Sequence, residues 1–149
     1  MSQFTHIIAP VDGSTISFSA VKKAAQLAKA FDAKLTLISL IGENPYNDTD
    51  FYTPPAALMR DYYIQAHENA ENALKEAYVK AEEEGIEATL RIIKGKVNAE
   101  SVSSVAEEQH ADLIVMGSHG RKGIQKMLLG SFAQDVLNST KLPVLIVRE

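Results

Sequence analysis

The most informative segment of the chain runs from Asp112 to Ser131 and reads DLIVMGSHGRKGIQKMLLGS. Its apolar beginning is typical of a strand that is buried on both faces, and it leads directly into Gly117, then Gly120 and, after nine intervening residues, Gly130. A helical pattern follows the last glycine. Glycine lets main chain approach an oxyanion closely, and the first N–H groups of a helix are free donors at a positive dipole end. The order of strand, glycines and helix therefore favours a phosphate site in an α/β fold.

The same glycines also have an explanation that involves no ligand. Any connection from a strand to a helix needs turn residues, and glycine fills that role in many loops that bind nothing. The chain contains neither G-x-x-x-x-G-K-[ST] nor G-x-G-x-x-G. The sequence therefore argues against a P-loop enzyme and a standard dinucleotide fold, and the glycines alone leave phosphate binding open.

Composition narrows the class of protein. A chain of 149 residues suits a single domain over positions 1–149, and its net charge of -4 offers no basic surface for nucleic acid. No apolar run approaches the roughly 18 residues of a membrane span, and the amino end lacks a secretory pattern, so we expect a cytoplasmic protein away from membranes. The absence of cysteine and the scattered positions of four histidines argue against a metal centre built from protein ligands.

Short β-branched or leucine-rich runs alternate with stretches of helical period, which predicts a parallel sheet with crossover helices. The predicted strands are His6–Val11, Lys34–Ile41, Ala88–Ile93, Leu113–Met116 and Pro143–Val147. We expect an open, doubly wound sheet of five parallel strands with helices on both faces, and the order 3-2-1-4-5 is the one that would place strands one and four side by side.

Local signals place the predicted helices between these strands. Ser14 or Thr15 can cap the first helix, whose apolar face repeats at helical spacing through Phe18, Val21, Ala25 and Ala28. A turn-rich loop over 42–53 precedes Pro54-Pro55, which opens a long helix that Gly85 ends. Asn98 can cap the next helix, which reaches about His110.

The predicted topology brings two loops to one edge of the sheet. In a doubly wound sheet the ligand lies beyond the carboxyl ends of the strands, and here that crevice requires strands one and four to be neighbours. The loops 11–14 and 117–120 would then face each other across a cleft. Because like charge would repel Asp12 from a phosphate, its carboxylate makes sense on ribose hydroxyls or on a cation that itself meets the phosphate. A ribose nucleotide would satisfy both sides of the cleft, with its sugar at the Asp12 carboxylate and its phosphates at the main-chain N–H groups of the loop 117–120.

At this point the residues resemble the universal stress protein family, specifically its ATP-binding branch. The resemblance covers essentially the whole chain and rests on IIAPVDGS at 7–14, LTLISL at 35–40, ADLIVMGSHG at 111–120, LGS at 129–131 and PVLIV at 143–147. The branch motif is glycine, two residues, glycine, nine residues, then glycine with serine or threonine. Gly117, Gly120, Gly130 and Ser131 fill it without a gap.

The resemblance implies an adenine nucleotide alpha hydrolase-like fold that holds ATP, with AMP and ADP as alternatives and Mg²⁺ as an accompanying cation. It places Asp12 on the ribose, main chain near Leu40 and Val11 around adenine, and the motif glycines with Ser131 on the phosphates. The predicted nucleotide-binding set is Pro10, Val11, Asp12, Leu40, Met116, Gly117, Ser118, His119, Gly120, Arg121, Gly130, Ser131 and Phe132. Phe132 stands where many members have valine, and the loop over 42–53 varies in length within the family.

Other polar residues have competing interpretations. His119 and Arg121 either neutralise phosphates or are simply solvated in an exposed loop. For His6, His67 and His110 we expect surface or capping roles, because no serine or carboxylate lies at a triad-like spacing.

Three function classes remain open. The first is a regulatory module that binds ATP and changes conformation or partner affinity with little or no hydrolysis. The second is a slow ATPase or nucleotidyl-transfer enzyme, although the chain lacks the S-G-G-x-D-S loop and offers no clear general base. The third is a structural dimer that works without nucleotide.

The predicted last strand suggests an interface. Val144, Leu145, Ile146 and Val147 form a nearly all-apolar strand at the sheet edge, where unpaired main-chain groups invite pairing. Antiparallel pairing with the same strand of a second copy would satisfy both edges, and the family resemblance also implies such a homodimer. We further expect a regulatory protein partner whose identity the sequence leaves open.

Overall fold

A computed structural model of the chain describes residues 4–42, 55–119 and 129–148. Within these ranges strands and helices alternate along the chain. The elements are β1 (His6–Pro10), α1 (Thr15–Phe31), β2 (Lys34–Gly42), α2 (Ala56–Glu83), β3 (Thr89–Gly95), α3 (Ala99–Glu108), β4 (Leu113–Gly117), α4 (Ser131–Ser139) and β5 (Val144–Val147).

The strands form one parallel sheet in the order β3-β2-β1-β4-β5, which confirms the predicted order. Ile7 of β1 pairs with Leu113 of β4, so strands one and four are neighbours as the cleft requires. β3 runs two residues beyond its predicted end because β2 also extends, and Gly42 pairs there with Gly95. Pairing of β1 stops at Pro10, one residue earlier than predicted.

Helices cover the sheet on both faces, and each face has its own apolar core. On one face Ile7, Leu37 and Val115 pack with alanines and valine of α1 and with α2. On the other, Ile8 and Ile114 pack with α3 and α4. β4 contributes to both cores and its apolar residues are buried, as its unbroken apolar run predicted.

The helix starts confirm two predicted caps. The Ser14 side chain accepts a hydrogen bond from the N–H of Ser17, and that of Asn98 accepts one from Ser101. α2 ends at Glu83, and Gly85 follows with a φ of 87°, a conformation that favours glycine. The predicted loop over 42–53 lies outside the described residues except for Gly42.

The amino ends of the central strands hold a hydrogen-bonded cluster. His6 is only 7% exposed, and its Nδ1 lies 2.9 Å from the Gln109 carbonyl while its Nε2 lies 2.8 Å from the Thr36 hydroxyl. The expectation of a surface position for His6 is therefore wrong, because tertiary packing closes around the start of β1, whereas its contact with the carbonyl of Gln109, the C-cap residue of α3, agrees with the alternative of a capping role. The same expectation holds for the other two histidines to which it applied: His67 is paired with Glu71 on the surface, and His110 is exposed just after α3.

Asp112 completes this cluster from the loop before β4. Its two carboxylate oxygens accept hydrogen bonds from the N–H groups of Thr5 and His6 and from the Thr5 hydroxyl, at 2.8 to 3.1 Å. Burial alone would raise the pKa of Asp112, but the hydrogen bonds from Thr5 and His6 outweigh burial and lower that pKa from 3.8. The carboxylate therefore joins the first strand to the fourth in its charged form.

Candidate functional site

A cleft of about 560 Å³ lies at the carboxyl ends of the strands. Every described residue of the predicted nucleotide-binding set lines it, namely Pro10, Val11, Asp12, Leu40, Met116, Gly117, Ser118, His119, Gly130, Ser131 and Phe132. Gly120 and Arg121 lie outside the described residues. The topology thus brings together loops that are more than a hundred positions apart in sequence.

The loop after β1 supplies a carboxylate. Asp12 Oδ1 accepts hydrogen bonds from the Ser14 N–H, at 2.9 Å, and from the Ser14 hydroxyl. These bonds fix the orientation of the Asp12 side chain, and Ser14 is itself held as the cap of α1. Asp12 Oδ2 accepts no hydrogen bond from the described residues, so this oxygen remains available to a ligand.

The described ends of the connection between β4 and α4, at Ser118 and Gly130, lie close together. The Gly130 N–H donates to the Ser118 carbonyl at 2.7 Å, and the Ser118 N–H donates to the Val147 carbonyl at 2.8 Å. A Cβ built on Gly130 would lie 2.8 Å from that Ser118 oxygen, closer than side chains tolerate. Since the φ of Gly130 is an ordinary −70°, close approach is the reason for glycine at this position.

The N-terminus of α4 opens into the cleft. Gly130 stands at its N-cap and offers no side chain, so no capping hydrogen bond forms there. The first N–H groups of a helix have no acceptor within the helix, and here they belong to Ser131, Phe132 and Ala133. All three residues line the cleft. This end of the cleft therefore presents free main-chain donors and the positive end of a helix dipole.

His119 adds a ring nitrogen to the same end. Its Nδ1 lies 2.9 Å from the hydroxyl of Ser118, which is buried. Its Nε2 is shielded from solvent and has no hydrogen-bond partner among the described residues. In the tautomer in which Ser118 donates to Nδ1, Nε2 carries the hydrogen and is a donor. The structure thus places His119 at the cleft, and its predicted role on phosphates stays a prediction.

The residues of the opposite wall of the cleft were not predicted from the sequence. It is formed mainly by α2 and the end of β2, and the additional lining residues are Ser17, Ile38, Ser39, Ala66, Asn69, Ala70, Ala73, Val97 and Ala133. The α2 residues follow a helical period that was visible in the sequence. That period shows only that a helix face is covered, because a helix packs its small residues equally well on a core or on a ligand.

The described residues that line the cleft include few ionisable side chains. Asp12 is the only carboxylate among them, and none of them is a lysine or an arginine. No group of three or more histidine, aspartate or glutamate residues within 4–42, 55–119 and 129–148 could hold a metal ion. Nor does any helix in those ranges combine the length and apolarity that crossing a membrane requires. Anion binding at this edge would therefore depend on main-chain donors and His119 in the described part of the chain.

Comparison with known proteins gives consistent matches. The model of the universal stress protein family matches residues 3–148. A universal stress protein of Methanocaldococcus jannaschii is 35% identical over 147 residues, which make up 98% of this chain and 83% of that protein.

Solved structures match over nearly the full chain. A universal stress protein in complex with cAMP is 29% identical with a TM-score of 0.74, and the match covers 98% of each chain. The universal stress protein UspA from Lactobacillus plantarum has a TM-score of 0.83 at 20% identity, and the match covers 99% of this chain and 100% of that one. At that identity the second likeness supports the fold alone.

Proposed function

Because the chain belongs to the universal stress protein family, we propose that its cleft binds an adenine nucleotide, ATP foremost, with AMP and ADP as alternatives. In this proposal the protein is a stress-response module that changes conformation or partner affinity with nucleotide state. The observation that carries it is the uncapped start of α4, which shares one cleft with the Asp12 carboxylate. A solved relative, 29% identical, is a complex with cAMP, itself a nucleotide of adenine.

The phosphates belong at the α4 end of the cleft. The free N–H groups of Ser131, Phe132 and Ala133 point the positive end of a helix dipole at an anion. His119 Nε2 has no hydrogen-bond partner among the described residues, and a phosphate oxygen would supply one. Gly130 allows this helix start to lie against Ser118, which sets where the donors point.

The ribose belongs at Asp12. Oδ1 is already engaged by Ser14, whereas Oδ2 is available to accept hydrogen bonds from ribose hydroxyls. The carboxylate would be unfavourable beside the phosphates, because no cationic side chain of the described lining residues offsets its charge. A nucleotide that lies with its sugar at β1 and its phosphates at α4 avoids that repulsion.

Mg²⁺ fits this arrangement only as a companion of the nucleotide. The described lining residues offer it one carboxylate, Asp12, and magnesium commonly takes one or two protein carboxylates together with substrate phosphates and water. Asp12 Oδ2 would hold the cation in that case. The cation would supply charge neutralisation for the phosphates.

Hydrolysis should be weak or absent. Asp12 is the only carboxylate among the described lining residues, and two hydrogen bonds from Ser14 hold it in place. A general base must reach the attacking water, and placing Asp12 on ribose removes it from the terminal phosphate. A slow ATPase or nucleotidyl-transfer enzyme is the second candidate, and a nucleotide-independent structural dimer is the third.

One purification separates these three candidates. The protein is purified without added nucleotide, heat-denatured, and the released small molecules are identified by mass spectrometry, while a second sample is assayed for phosphate release from ATP. We expect retained or titratable adenine nucleotide and no steady turnover. Sustained turnover that purifies with the protein would favour the enzyme. A folded protein that neither retains nor binds nucleotide would favour the structural dimer.

The role of Asp12 has its own test. If Asp12 binds ribose, Asp12→Asn should weaken ATP and ADP to the same extent, with or without Mg²⁺. Calorimetric titration of both nucleotides measures this. A defect that occurs only with Mg²⁺, and only for ATP, would instead assign Asp12 to the cation.

We also propose a homodimer through β5. This strand is at the edge of the sheet, and Leu145 is 37% exposed there. The other apolar residues of the strand are Val144 and Ile146, which are partly buried, and Val147, which is buried. Antiparallel pairing with a second copy would engage the open main-chain groups and cover Leu145.

Charge introduced at the edge should break this dimer. Leu145→Lys is expected to give a monomer by light scattering at micromolar concentration, where the wild type is a dimer. The matched control is Leu137→Lys, since Leu137 lies on α4 and is 41% exposed, nearly the same as Leu145. A wild-type monomer, or a dimer that tolerates Leu145→Lys, would contradict the β5 interface.

A further inference from the structure

The strand β3 stands at the end of the sheet that is opposite to β5, and it is the longer of the two. All seven of its residues pair with β2 on one side, whereas β5 has four residues. No other strand of the described chain lies on the outer side of β3. An edge strand presents a row of unpaired N–H and C=O groups, so β3 can accept a further strand along its whole length.

The side chains of β3 leave its outer side accessible. Leu90, Arg91 and Lys94 are exposed. Ile92 packs against the core under α1 and α2, and Ile93 packs against the core on the other face. Because successive side chains of a strand alternate between the two faces, Arg91 shares a face with Ile93, and Lys94 shares one with Ile92. The strand therefore carries one cation on each face of the sheet.

Neither cation is neutralised within the described part of the chain. Arg91 and Lys94 form no ion pair and no side-chain hydrogen bond with a described residue. The carboxylate nearest to Arg91 in sequence, Glu87, bonds instead to Tyr78. Exposed Lys96 adds a further positive charge just after the strand. Since the whole chain has a net charge of -4, β3 is a basic strand in an acidic protein, and it favours an acidic partner.

A second copy of the chain does not suit this strand. If two β3 strands paired antiparallel about a two-fold axis at the centre of residues 91–94, Arg91 of each copy would stand opposite Lys94 of the other. Like charges that are directly opposite destabilise a strand pair. The other edge strand, β5, offers no carboxylate, because its residues Val144–Val147 are all apolar. The charges that protect β3 from its own copies leave it open to a strand of opposite charge.

We propose that the outer side of β3 binds an extended acidic segment of a partner protein, which adds to the sheet as a further strand. In this general mode of recognition, main-chain hydrogen bonds supply affinity and side chains supply specificity. Residues directly opposite each other lie on the same face, so the segment needs carboxylates opposite Arg91 and Lys94. Opposite Ile92 and Ile93 it needs apolar side chains. The segment that fits therefore reads acidic, apolar, apolar, acidic.

This pattern is the same in both directions, so it fits β3 as a parallel or an antiparallel neighbour. The inference names a surface for a protein partner and goes beyond the proposed nucleotide binding. It does not depend on that binding, because no residue of β3 lines the cleft.

The first test compares two peptides of identical composition. One contains Glu-Val-Val-Glu and the other Glu-Val-Glu-Val, each between pairs of threonines and labelled with fluorescein, and fluorescence anisotropy measures their binding to the full chain. Only the first peptide can place a carboxylate opposite both cations, so we expect it to bind about threefold more tightly, as one cross-strand charge pair predicts. Equal affinities, or no binding at millimolar peptide, would contradict the proposal.

The second test reverses the charge of the strand. Arg91→Glu combined with Lys94→Glu should weaken the first peptide at least tenfold, because two attractive pairs become repulsive. The matched control combines Lys22→Glu with Lys23→Glu, two exposed lysines of α1, and changes the net charge equally. Its affinity should stay within about twofold of wild type. Equal losses in both variants would overturn the proposal, because net charge alone would then explain the binding.

A third peptide shows whether the reversed variant keeps a working strand. The peptide with Lys-Val-Val-Lys should bind the variant that carries Arg91→Glu and Lys94→Glu about as tightly as the first peptide binds wild type. Failure of this exchange would remove the charge pairing from β3.

The last test examines the main chain of the peptide. A strand added at an edge uses the N–H groups of only one of its two sides. N-methylation of one alternate set of peptide bonds in the first peptide should therefore abolish binding, and methylation of the other set should preserve it. Tolerance of both sets would mean that charge alone holds the peptide and that no strand is added.

Discussion

The two edges of the same sheet differ in how their polar groups are satisfied. At the amino edge, the His6 ring is bonded to Gln109 and Thr36, and both oxygens of Asp112 are occupied. At the carboxyl edge, His119 Nε2 has no partner among the described residues. Polar groups with internal partners stabilise the fold, whereas we propose that those without partners at the carboxyl edge contact the nucleotide.

Parallel topology explains why the difference falls this way. All strands end at one edge, and α1 and α4 begin there, so helix N-termini and short loops converge on that edge. At the other edge the loops that lead into β1 and β4 can bond to one another, as Thr5 and Asp112 do. The amino edge therefore contributes stability, and the carboxyl edge is where we propose that the ligand binds.

The largest expected effect is at the amino edge. Asp112→Ala removes the charged acceptor of the Thr5 and His6 N–H groups, and a hydrogen bond to a charged group contributes about 2 kcal/mol. Urea denaturation should show this loss in the free energy of unfolding. Nucleotide affinity of the remaining folded protein should be unchanged, because Asp112 does not line the cleft.

Asp135→Ala is the control for this comparison. Asp135 is an exposed aspartate of α4 whose side chain has no hydrogen bond among the described residues, so its removal should change stability little. Equal stability losses in the two variants would mean that the amino-edge cluster contributes nothing special. A drop in ATP affinity for Asp112→Ala would show that the two edges are not separate.

The next effect in size is at the carboxyl edge. Gly130→Val places a branched side chain where even a Cβ would lie 2.8 Å from the Ser118 carbonyl, so the start of α4 must move. ATP affinity should fall at least tenfold, or about 1.4 kcal/mol, by calorimetric titration. Asn138→Val, on the exposed face of the same helix, should retain wild-type affinity. Unchanged ATP binding by folded Gly130→Val would remove α4 from the phosphate site.

The smallest effect is a pH dependence at the amino edge. Burial is the largest influence on His6 and lowers its pKa from 6.5. The hydrogen bond with the Gln109 carbonyl raises this pKa, the charge of Lys34 lowers it further, and the charge of Asp112 raises it. The folded state therefore favours neutral His6. The contribution of neutral His6 to the free energy of unfolding is fully present above pH 6.5. It is lost as the pH falls through the lowered pKa that His6 has in the folded state.

His6→Gln should flatten the decline in stability just below pH 6.5, as measured by urea denaturation at a series of pH values. The control is His110→Asn, because His110 is exposed and asparagine tolerates its φ of 57°. If the wild type and His6→Gln show parallel profiles, another group carries this pH dependence.

The sequence was sufficient to predict the fold because its signals are local. Alternating strand and helix patterns, the caps Ser14 and Asn98, and the unbroken apolar run of β4 each act over a few residues. Ligands of doubly wound sheets bind beyond the carboxyl ends of the strands, and from this rule we predicted correctly that Asp12 and Gly117 line one cleft. These predictions needed no knowledge of side-chain packing.

The features that were missed depend on distant contacts. His6 bonds to Thr36 and Gln109, which are 30 and 103 positions away, and a lone histidine gives no sign of such partners. The α2 wall depends on how a long helix returns to the sheet, and the pattern of Ala66, Ala70 and Ala73 fits a core equally well. Sequence periodicity shows that a face is covered and does not show by what.

The central position of β1 has a consequence for synthesis on the ribosome. β1 can pair with β2 once about 40 residues exist, but its other neighbour begins at Leu113, and the contact between Thr5 and Asp112 spans 107 positions. A nascent chain therefore exposes one edge of its central strand until most of it has been translated. The start of α4, where we propose that the phosphates bind, is made later still, at Ser131, so a bound nucleotide would stabilise the finished fold and would not assist its early assembly.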